Sequence, residues 1–271
     1  MPAQQANANA FNPNGLDLTR VASYERVIRA PIERVWENVL DWEHLPHLHE
    51  SSFDYVALDD GGDWGWRTWS DPGHTSHVEL CVADQHRYVA RSYQAGEQVS
   101  EIWTSLQPRH KETAITVEFS LVNIDADRAA DLGEKMVALY TRLWDEDEAM
   151  MRERHARLRD SRSPQRSLRL GNREALMARL NAGERIVFQL HKREYQLRLV
   201  GQALLTHPTI CPHLLGPLLD ADVAQGRLRC PWHGYEFDLE SGACLSPGHA
   251  RCRLPKNADL VEEDGAVIAR V

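Results

Sequence analysis

Long apolar runs are missing from this 271-residue sequence: no stretch approaches the eighteen or more residues of a membrane-spanning helix, so no membrane partner is expected. An excess of basic residues is missing too. Lys and Arg number 31 against 40 Asp and Glu, a net charge of −9, which argues against a nucleic-acid partner. The opening "MPAQQANANAFNPNGLDL" lacks the basic and apolar regions of a signal peptide, and its Asn, Gln, Ala and Pro content reads as a disordered tail over residues 1–20. Cysteine is scarce and odd in number: Cys81, Cys211, Cys230, Cys244 and Cys252. Such a set without a signal peptide points to the reducing cytoplasm, where cysteines serve as metal ligands or core residues rather than staples. Internal repeats are absent.

What is present allows one large core or two smaller ones, since 42% of the residues are hydrophobic and 26% charged. "SYERVIRA" alternates as a strand, and "PIERVWENVL" follows with Pro31 suited to a helix start and Ile32, Val35, Trp36 and Val39 on one stripe. Pro46 is expected to end or break that run. Strand-like segments lie near Phe53–Leu58, Trp64–Trp69, Ser76–Val82, Arg87–Tyr93, Val99–Leu106 and Thr113–Val122, with Asp-Gly-Gly, Asp-Pro-Gly and Ala-Gly turns between several of them. A long helix is predicted from about Ala126 to Arg159. "RDSRSPQRSLRLGNRE" then reads as a linker, placed at 161–182. "ERIVFQL", "REYQLRLVGQALL" and "GAVIARV" read as strands of a further domain over 183–271.

A strand, a helical pair, antiparallel strands and a closing helix, opened by "APIERVWENVLDWEHLPHL", resemble the START-like (SRPBCC) superfamily over residues 21–160. The resemblance implies a helix-grip fold, a curved sheet around the long helix with an apolar pocket between them. Trp64, Trp66, Trp69, Tyr93 and Trp103 are candidates to line it, or simply to fill the core.

The stretch from Cys211 to Gly242 holds a Cys-x-His pair, Cys211 and His213, and a Cys-x-x-His pair, Cys230 and His233, sixteen residues apart. Four such ligands can hold zinc. Zinc fingers usually place like ligands together, whereas here each loop offers one thiolate and one imidazole, the split that a cluster with two distinguishable irons needs. The stretch, with its trailing "HGYEFDLESG", closely resembles the Rieske motif over residues 183–271. By that resemblance a [2Fe-2S] cluster has Cys211 and Cys230 on its inner iron and His213 and His233 on its outer one. Rieske proteins of cytochrome bc complexes carry two further loop cysteines as a disulfide; Gly216 and Trp232 stand there, so the sequence is similar to the ferredoxin and oxygenase branch. Cys244 and Cys252 are expected to be buried thiols.

Rieske non-haem iron oxygenases carry E/D-x3-D-x2-H-x4-H on the opening helix of their catalytic domain. This sequence reads Glu37-x3-Asp41-x2-His44-x4-His49. The resemblance implies a mononuclear Fe(II) held by His44, His49 and an Asp from the closing helix, a 2-His-1-carboxylate triad with open positions. On that helix Leu132, Met136, Leu139 and Leu143 form a stripe whose next step is Asp147, the preferred third ligand over Glu146 and Asp145. A carboxylate on an apolar face needs a partner or a metal. In the family the Asp matching Asp41 bridges a cluster histidine and an iron-ligand histidine, which would link His44 to His213 or His233.

The expectation is an α+β chain: an N-terminal START-like helix-grip domain and a C-terminal all-β Rieske domain, acting as a mono- or dioxygenase component. Its implied partners are a separate reductase or ferredoxin, a small organic substrate and O2, with a homo-oligomer, a trimer by family resemblance. The domain order is the reverse of typical catalytic subunits. Two alternatives stay open: a non-catalytic ligand-binding domain fused to a Rieske redox sensor, and an electron carrier. The Arg-rich stretch from Arg152 to Arg169 reads as a solvated helix end and linker, or as a surface steering an acidic ferredoxin.

Overall fold

The computed structural model describes residues 15–158, 165–219 and 221–271. The chain divides into two units, Met1–His155 and Ala156–Val271. Most of the expected tail lies outside the described residues, and by Leu18 the chain has already entered a strand. No helix among the described residues is long and apolar enough to cross a membrane.

The first unit opens with strand β1 (Leu18–Ile28) and helix α1 (Ile32–Val39). Pro31 lies just before α1 as its N-cap, where its missing N–H costs nothing. The helix stops at Val39, well before Pro46. A 3-10 turn (Trp42–His44) and a short helix α2 (Leu45–Leu48) follow, and Pro46 sits inside the first turn of α2, a tolerated position. Six strands come next: β2 (Ala57–Gly62), β3 (Gly65–Trp69), β4 (Ser76–Asp84), β5 (Arg87–Gln94), β6 (Glu97–Arg109) and β7 (Glu112–Val122). They form a meander that β1 completes beside β7, giving an antiparallel seven-stranded sheet, β1-β7-β6-β5-β4-β3-β2. β2 starts four residues later than expected and runs through Asp60-Gly61-Gly62, so the reversal falls on Asp63 and Trp64. The other two turns are where expected. Asp71 accepts the backbone N–H groups of Gly73, Thr75 and Ser76, and Ala95 and Gly96 supply the positive φ of a tight hairpin.

The register writes the two faces of this sheet in different chemistry. One row runs Trp66, Leu80, Ala90, Ile102, Phe119, Ala22 across six strands. The neighbouring row, on the opposite face, runs Arg67, Glu79, Arg91, Glu101, alternating in sign so that each charge has an opposite one beside it. Helix α3 (Ala126–Arg157) lies on the apolar face, placing Met136, Val137, Tyr140, Trp144 and Met151 in the core. Gly133 permits the close approach, because a Cβ there would stand 2.4 Å from the Val21 carbonyl oxygen. The buried stripe is turned by about one residue from the predicted one: Leu132 and Leu139 lie half-buried beside it, and Gly133, Tyr140 and Trp144 lead it.

The second unit departs from the expected linker, whereas the elements described within 183–271 are all strands, as expected. Ser167–Gly171 is a strand, β8, and Arg173–Asn181 a helix, α4, capped by Asn172, whose side chain accepts the Ala175 N–H. Leu168, Leu170, Leu176, Met177 and Leu180 pack into the unit's core. The Ser and Arg between them gave the stretch a linker's composition, although its leucines alternate inward. Residues 159–164 of the expected linker lie outside the described ones. The remaining strands are β9 (Ile186–Leu190), β10 (Arg193–Val200), β11 (Ala203–Pro208), β12 (Val223–Ala224), β13 (Arg227–Arg229), β14 (Glu236–Asp238), β15 (Asp259–Glu263) and β16 (Ala266–Arg270). They make three small antiparallel sheets, β11-β10-β9, β12-β13-β14 and β15-β16-β8.

Candidate metal centres

Two loops of the second unit present Cys211, His213, Cys230 and His233. Each closes on its own backbone: the Cys211 N–H donates to the Gly216 carbonyl, and the Cys230 N–H to that of Tyr235. Both cysteines are fully buried, and the rings of His213 and His233 meet edge to face with centroids 4.4 Å apart. Tyr235 stacks on His213 at 4.5 Å and holds His249 Nδ1 through its hydroxyl at 2.7 Å. The two thiols share a hydrogen bond, which with burial raises Cys211 and, acting in the opposite direction, lowers Cys230. Gly216 keeps the space open, since a Cβ there would stand 2.9 Å from Cys230 Sγ. The loop carries strain at Leu214 and Leu215, with φ of +33° and +61°, a region side chains other than glycine seldom adopt. Arg157 donates to the Leu215 carbonyl and lies over the Trp232 ring.

Among known protein families, one matches within this unit. Residues 171–259 match the Rieske [2Fe-2S] domain. A 63-residue stretch is 36% identical to the oxygenase component of dicamba O-demethylase from Stenotrophomonas maltophilia, covering 21% of this chain and 18% of that protein. The match thus spans less than a fifth of that relative. Among solved structures, the chain is similar to the Sphingomonas yanoikuyae B1 ferredoxin, at 25% identity over 39% of this chain and 98% of that one, TM-score 0.31. It is also similar to the Zhui aromatase/cyclase from Streptomyces sp. R1128, at 13% identity over 51% of this chain and 96% of that one, TM-score 0.39. The Rieske domain implies a [2Fe-2S] cluster and an electron-transfer role. The residues present fit it: two buried cysteine sulfurs, two imidazoles from separate loops, and a glycine where a side chain would crowd a sulfur. Cys244 and Cys252 stand outside these loops and are half-buried rather than buried.

In the first unit, His44, His49 and Asp147 come together. One ligand atom from each lies within 4.8 Å of the others, and all three residues are buried, at 3%, 1% and 8% exposure. Asp147 Oδ1 stands 3.0 Å from His49 Nε2 and 3.4 Å from His44 Nε2, and it accepts the Asn38 side-chain N–H at 2.8 Å. Burial alone would lower the pKa of His44; the carboxylates of Asp147 and Asp41 outweigh it and raise the group to about 9. Burial likewise opposes the shifts of the other two, and is again outweighed: His49 rises through Asp147 and Glu146, and Asp147 falls well below the carboxylate range through both histidines.

Asp41 is not a helical neighbour of His44. It caps the 3-10 turn, accepting the Glu43 N–H, and its other oxygen lies 3.8 Å from His44 Nδ1. Glu146 and Asp145, the alternative third ligands, go elsewhere: Glu146 to His49 Nδ1 at 2.5 Å, Asp145 to Arg26. Glu37 pairs with Arg34 and Arg154.

A pocket of about 130 Å³ opens on the three residues, walled by Val39, Leu45, Phe53, Trp66, Leu80, Tyr88, Tyr140, Leu143 and Trp144 among others. Of the five aromatics proposed for it, only Trp66 is there. Trp69, Tyr93 and Trp103 belong to the charged face, where Trp69 and His77, and His77 and Tyr93, contact ring to ring, and Trp64 sits in a turn. Strand alternation decides this, since Trp103 follows the inward Ile102. Sequence reasoning missed Asn38 as a partner of the site. The signal was there: Asn38 lies on the buried face of α1 with Val35 and Val39.

Proposed function

We propose that the chain is the oxygenase component of a Rieske-type mono- or dioxygenase, with a mononuclear iron at His44, His49 and Asp147. The observation that carries this is the convergence of those three buried side chains on an apolar pocket, in a chain that also has a Rieske domain. Two neutral imidazoles and one carboxylate are a donor set suited to ferrous iron with positions left open. When bound, the cluster would supply single electrons and the mononuclear iron the open positions where dioxygen is activated.

The chain's own residues would do the rest. Asp147 would contribute the anionic ligand and His44 and His49 their Nε2 atoms, while Asp41 would orient His44 from the Nδ1 side. Phe53, Trp66, Tyr88, Tyr140 and Trp144 would exclude water and hold an apolar group. The volume suits a single ring or a short alkyl group, the size that an apolar cavity of about 150 Å³ takes up. That favours a small organic substrate for hydroxylation or demethylation, and the demethylase sharing the 63-residue stretch supports the class. A separate ferredoxin or reductase would deliver electrons, and a homo-oligomer is proposed from the family resemblance.

The test is metal content after anaerobic reconstitution. About three irons per chain are expected, two of them in the cluster. A ceiling of about two, with an intact Rieske EPR signal, would overturn the oxygenase reading in favour of a ligand-binding domain fused to a redox module.

A further inference from the structure

Four consecutive acidic residues on α3, Asp145 to Glu148, have separate partners. Asp145 bonds Arg26 at 2.6 Å, and Glu148 takes Arg26 at 2.7 Å and also Arg29. Asp147 turns to the histidines. Glu146 has none of those arginines; its Oε2 lies 2.5 Å from His49 Nδ1, on the side of the ring away from Asp147. One helical residue apart, two carboxylates hold the two nitrogens of one imidazole.

The same carboxylate that touches both histidines is itself held from a different element. Asn38, at 5% exposure on α1, donates to Asp147 Oδ1, and that bond closes a chain from α1 through Asp147 and His49 to Glu146. An imidazole that ligates through Nε2 must carry its proton on Nδ1, and an acceptor at Nδ1 selects that tautomer and fixes the ring. The two histidines differ here: His49 has its acceptor at 2.5 Å, whereas the carboxylate facing His44 Nδ1 stands at 3.8 Å.

We propose that Glu146 and Asn38 are positioning residues of the mononuclear centre, Glu146 setting the tautomer and ring angle of His49, and Asn38 aiming the carboxylate of Asp147. The inference rests on the metal reading of His44, His49 and Asp147. Neither residue would itself be a ligand. Glu146 acts through Nδ1 and leaves Nε2 clear. Asn38 occupies one lone pair of Oδ1, so the carboxylate keeps its remaining lone pairs for a cation and cannot rotate away from the histidines.

The experiment uses the full chain with its cluster intact and the mononuclear site stripped. Co(II) is titrated in anaerobically, and its visible d–d bands report both affinity and geometry. Loss of an outer partner of a metal-ligating histidine weakens metal binding by about 10- to 100-fold. Glu146→Ala and Asn38→Ala are each expected to weaken Co(II) by that factor and to alter the bands, with cluster absorbance unchanged. Glu146→Gln, which keeps an acceptor oxygen, should recover most of the affinity. Glu148→Gln is the control for damage to α3: it should lower the melting temperature while leaving the Co(II) constant close to that of the wild type, since no ligand-orienting bond is lost.

Wild-type affinity and spectrum in both alanine variants would overturn the proposal while leaving the metal site standing. Affinity lost in Glu148→Gln to the same extent as in Glu146→Ala would overturn it too, since the effect would then be one of folding. Wild-type protein that binds no Co(II) outside the cluster would instead sink the metal reading beneath it. If Asn38→Ala fails to fold, Asn38→Asp keeps the shape and places a second anion against Asp147, and an unchanged Co(II) spectrum there would count against the role of Asn38.

Discussion

Cys211, His213, Cys230 and His233 come from two loops that close on their own backbone, whereas Asp147 lies 98 residues beyond its partner His49. In the Rieske domain, position is fixed locally by turns, a strained pair of leucines and a glycine. In the first unit it depends on how α3 lies against the sheet and on side chains holding other side chains. A loop-built centre is written as spacing, and a helix-built one as register. The first should fail all at once when a loop is altered, and the second should fail in steps.

Gly216→Ala tests the loop-built side and should have the largest effect. A methyl group 2.9 Å from Cys230 Sγ must displace a sulfur or the loop backbone. Reconstituted protein is expected to lose the cluster's visible absorption, while the mononuclear site still takes up metal. A full cluster spectrum in the variant would mean that the loop is softer than this close contact implies.

Asp147→Asn addresses the other centre. With His44 raised to about 9, the metal-free protein at pH 7 holds a buried cation beside the Asp147 anion. Removing one member of a buried pair costs about 3–5 kcal/mol. The first unit of the metal-free variant should unfold at lower denaturant by that amount, and mononuclear metal should be lost with the cluster retained. Urea unfolding followed by Trp fluorescence reads the first effect and metal analysis the second.

The same pair sets a pH dependence. His44 binds its proton more tightly in the folded chain than a free imidazole does near 6.5, so its contribution is whole below about pH 6.5 and is lost as pH rises through about 9. Asp147 is depressed from 3.8, so its contribution is present above about pH 4 and is lost on acidification through its folded value. The metal-free first unit should therefore be most stable between about pH 4 and 6.5 and lose up to about 3 kcal/mol by pH 9.5. Metal affinity should move the opposite way, rising by up to about tenfold per pH unit across that window as the metal displaces the proton. A melting temperature that is flat from pH 6 to 9.5 would show that His44 is neutral throughout.

Sequence alone named the four residues of the loop-built site, because they stand in two short stretches with the spacing of the motif they resemble, and the structure brings the two loops together. It reached His44, His49 and Asp147 as well, the last through an argument that a carboxylate cannot sit idle on an apolar stripe. The stripe was turned by a residue, yet Asp147 lies near enough to the centre of that face to be buried either way. What stayed hidden depends on contacts between distant segments. Glu146 could not be separated from Asp145 before β1 supplied Arg26 to one and the end of α2 supplied His49 to the other. Which of the candidate aromatics face the pocket also stayed hidden, because abundance of Trp says nothing of strand phase. Residues 167–181 fell inside the expected linker because Arg and Ser outnumber leucine across 161–182, although Leu168, Leu170, Leu176 and Leu180 anchor the stretch.

Asp41→Asn should give the smallest effect. The side chain keeps an oxygen to cap the turn at Glu43 N–H, so the local fold is expected to hold within about 1 kcal/mol. What it loses is a charge 3.8 Å from His44 Nδ1, a distance too long for a firm hydrogen bond. Glu146 is closer to its histidine, so the two outer carboxylates should differ in weight. Co(II) affinity in Asp41→Asn is expected to fall by less than in Glu146→Ala. The His44 pKa should drop from about 9 yet stay above 6.5, because Asp147 remains, and NMR of the ring Cε1–H in metal-free protein would follow it. A loss of affinity larger than that of Glu146→Ala would reverse the ranking. It would mean that the approach at His44 tightens once metal is bound, and that the loosely held histidine is the one on which the centre depends.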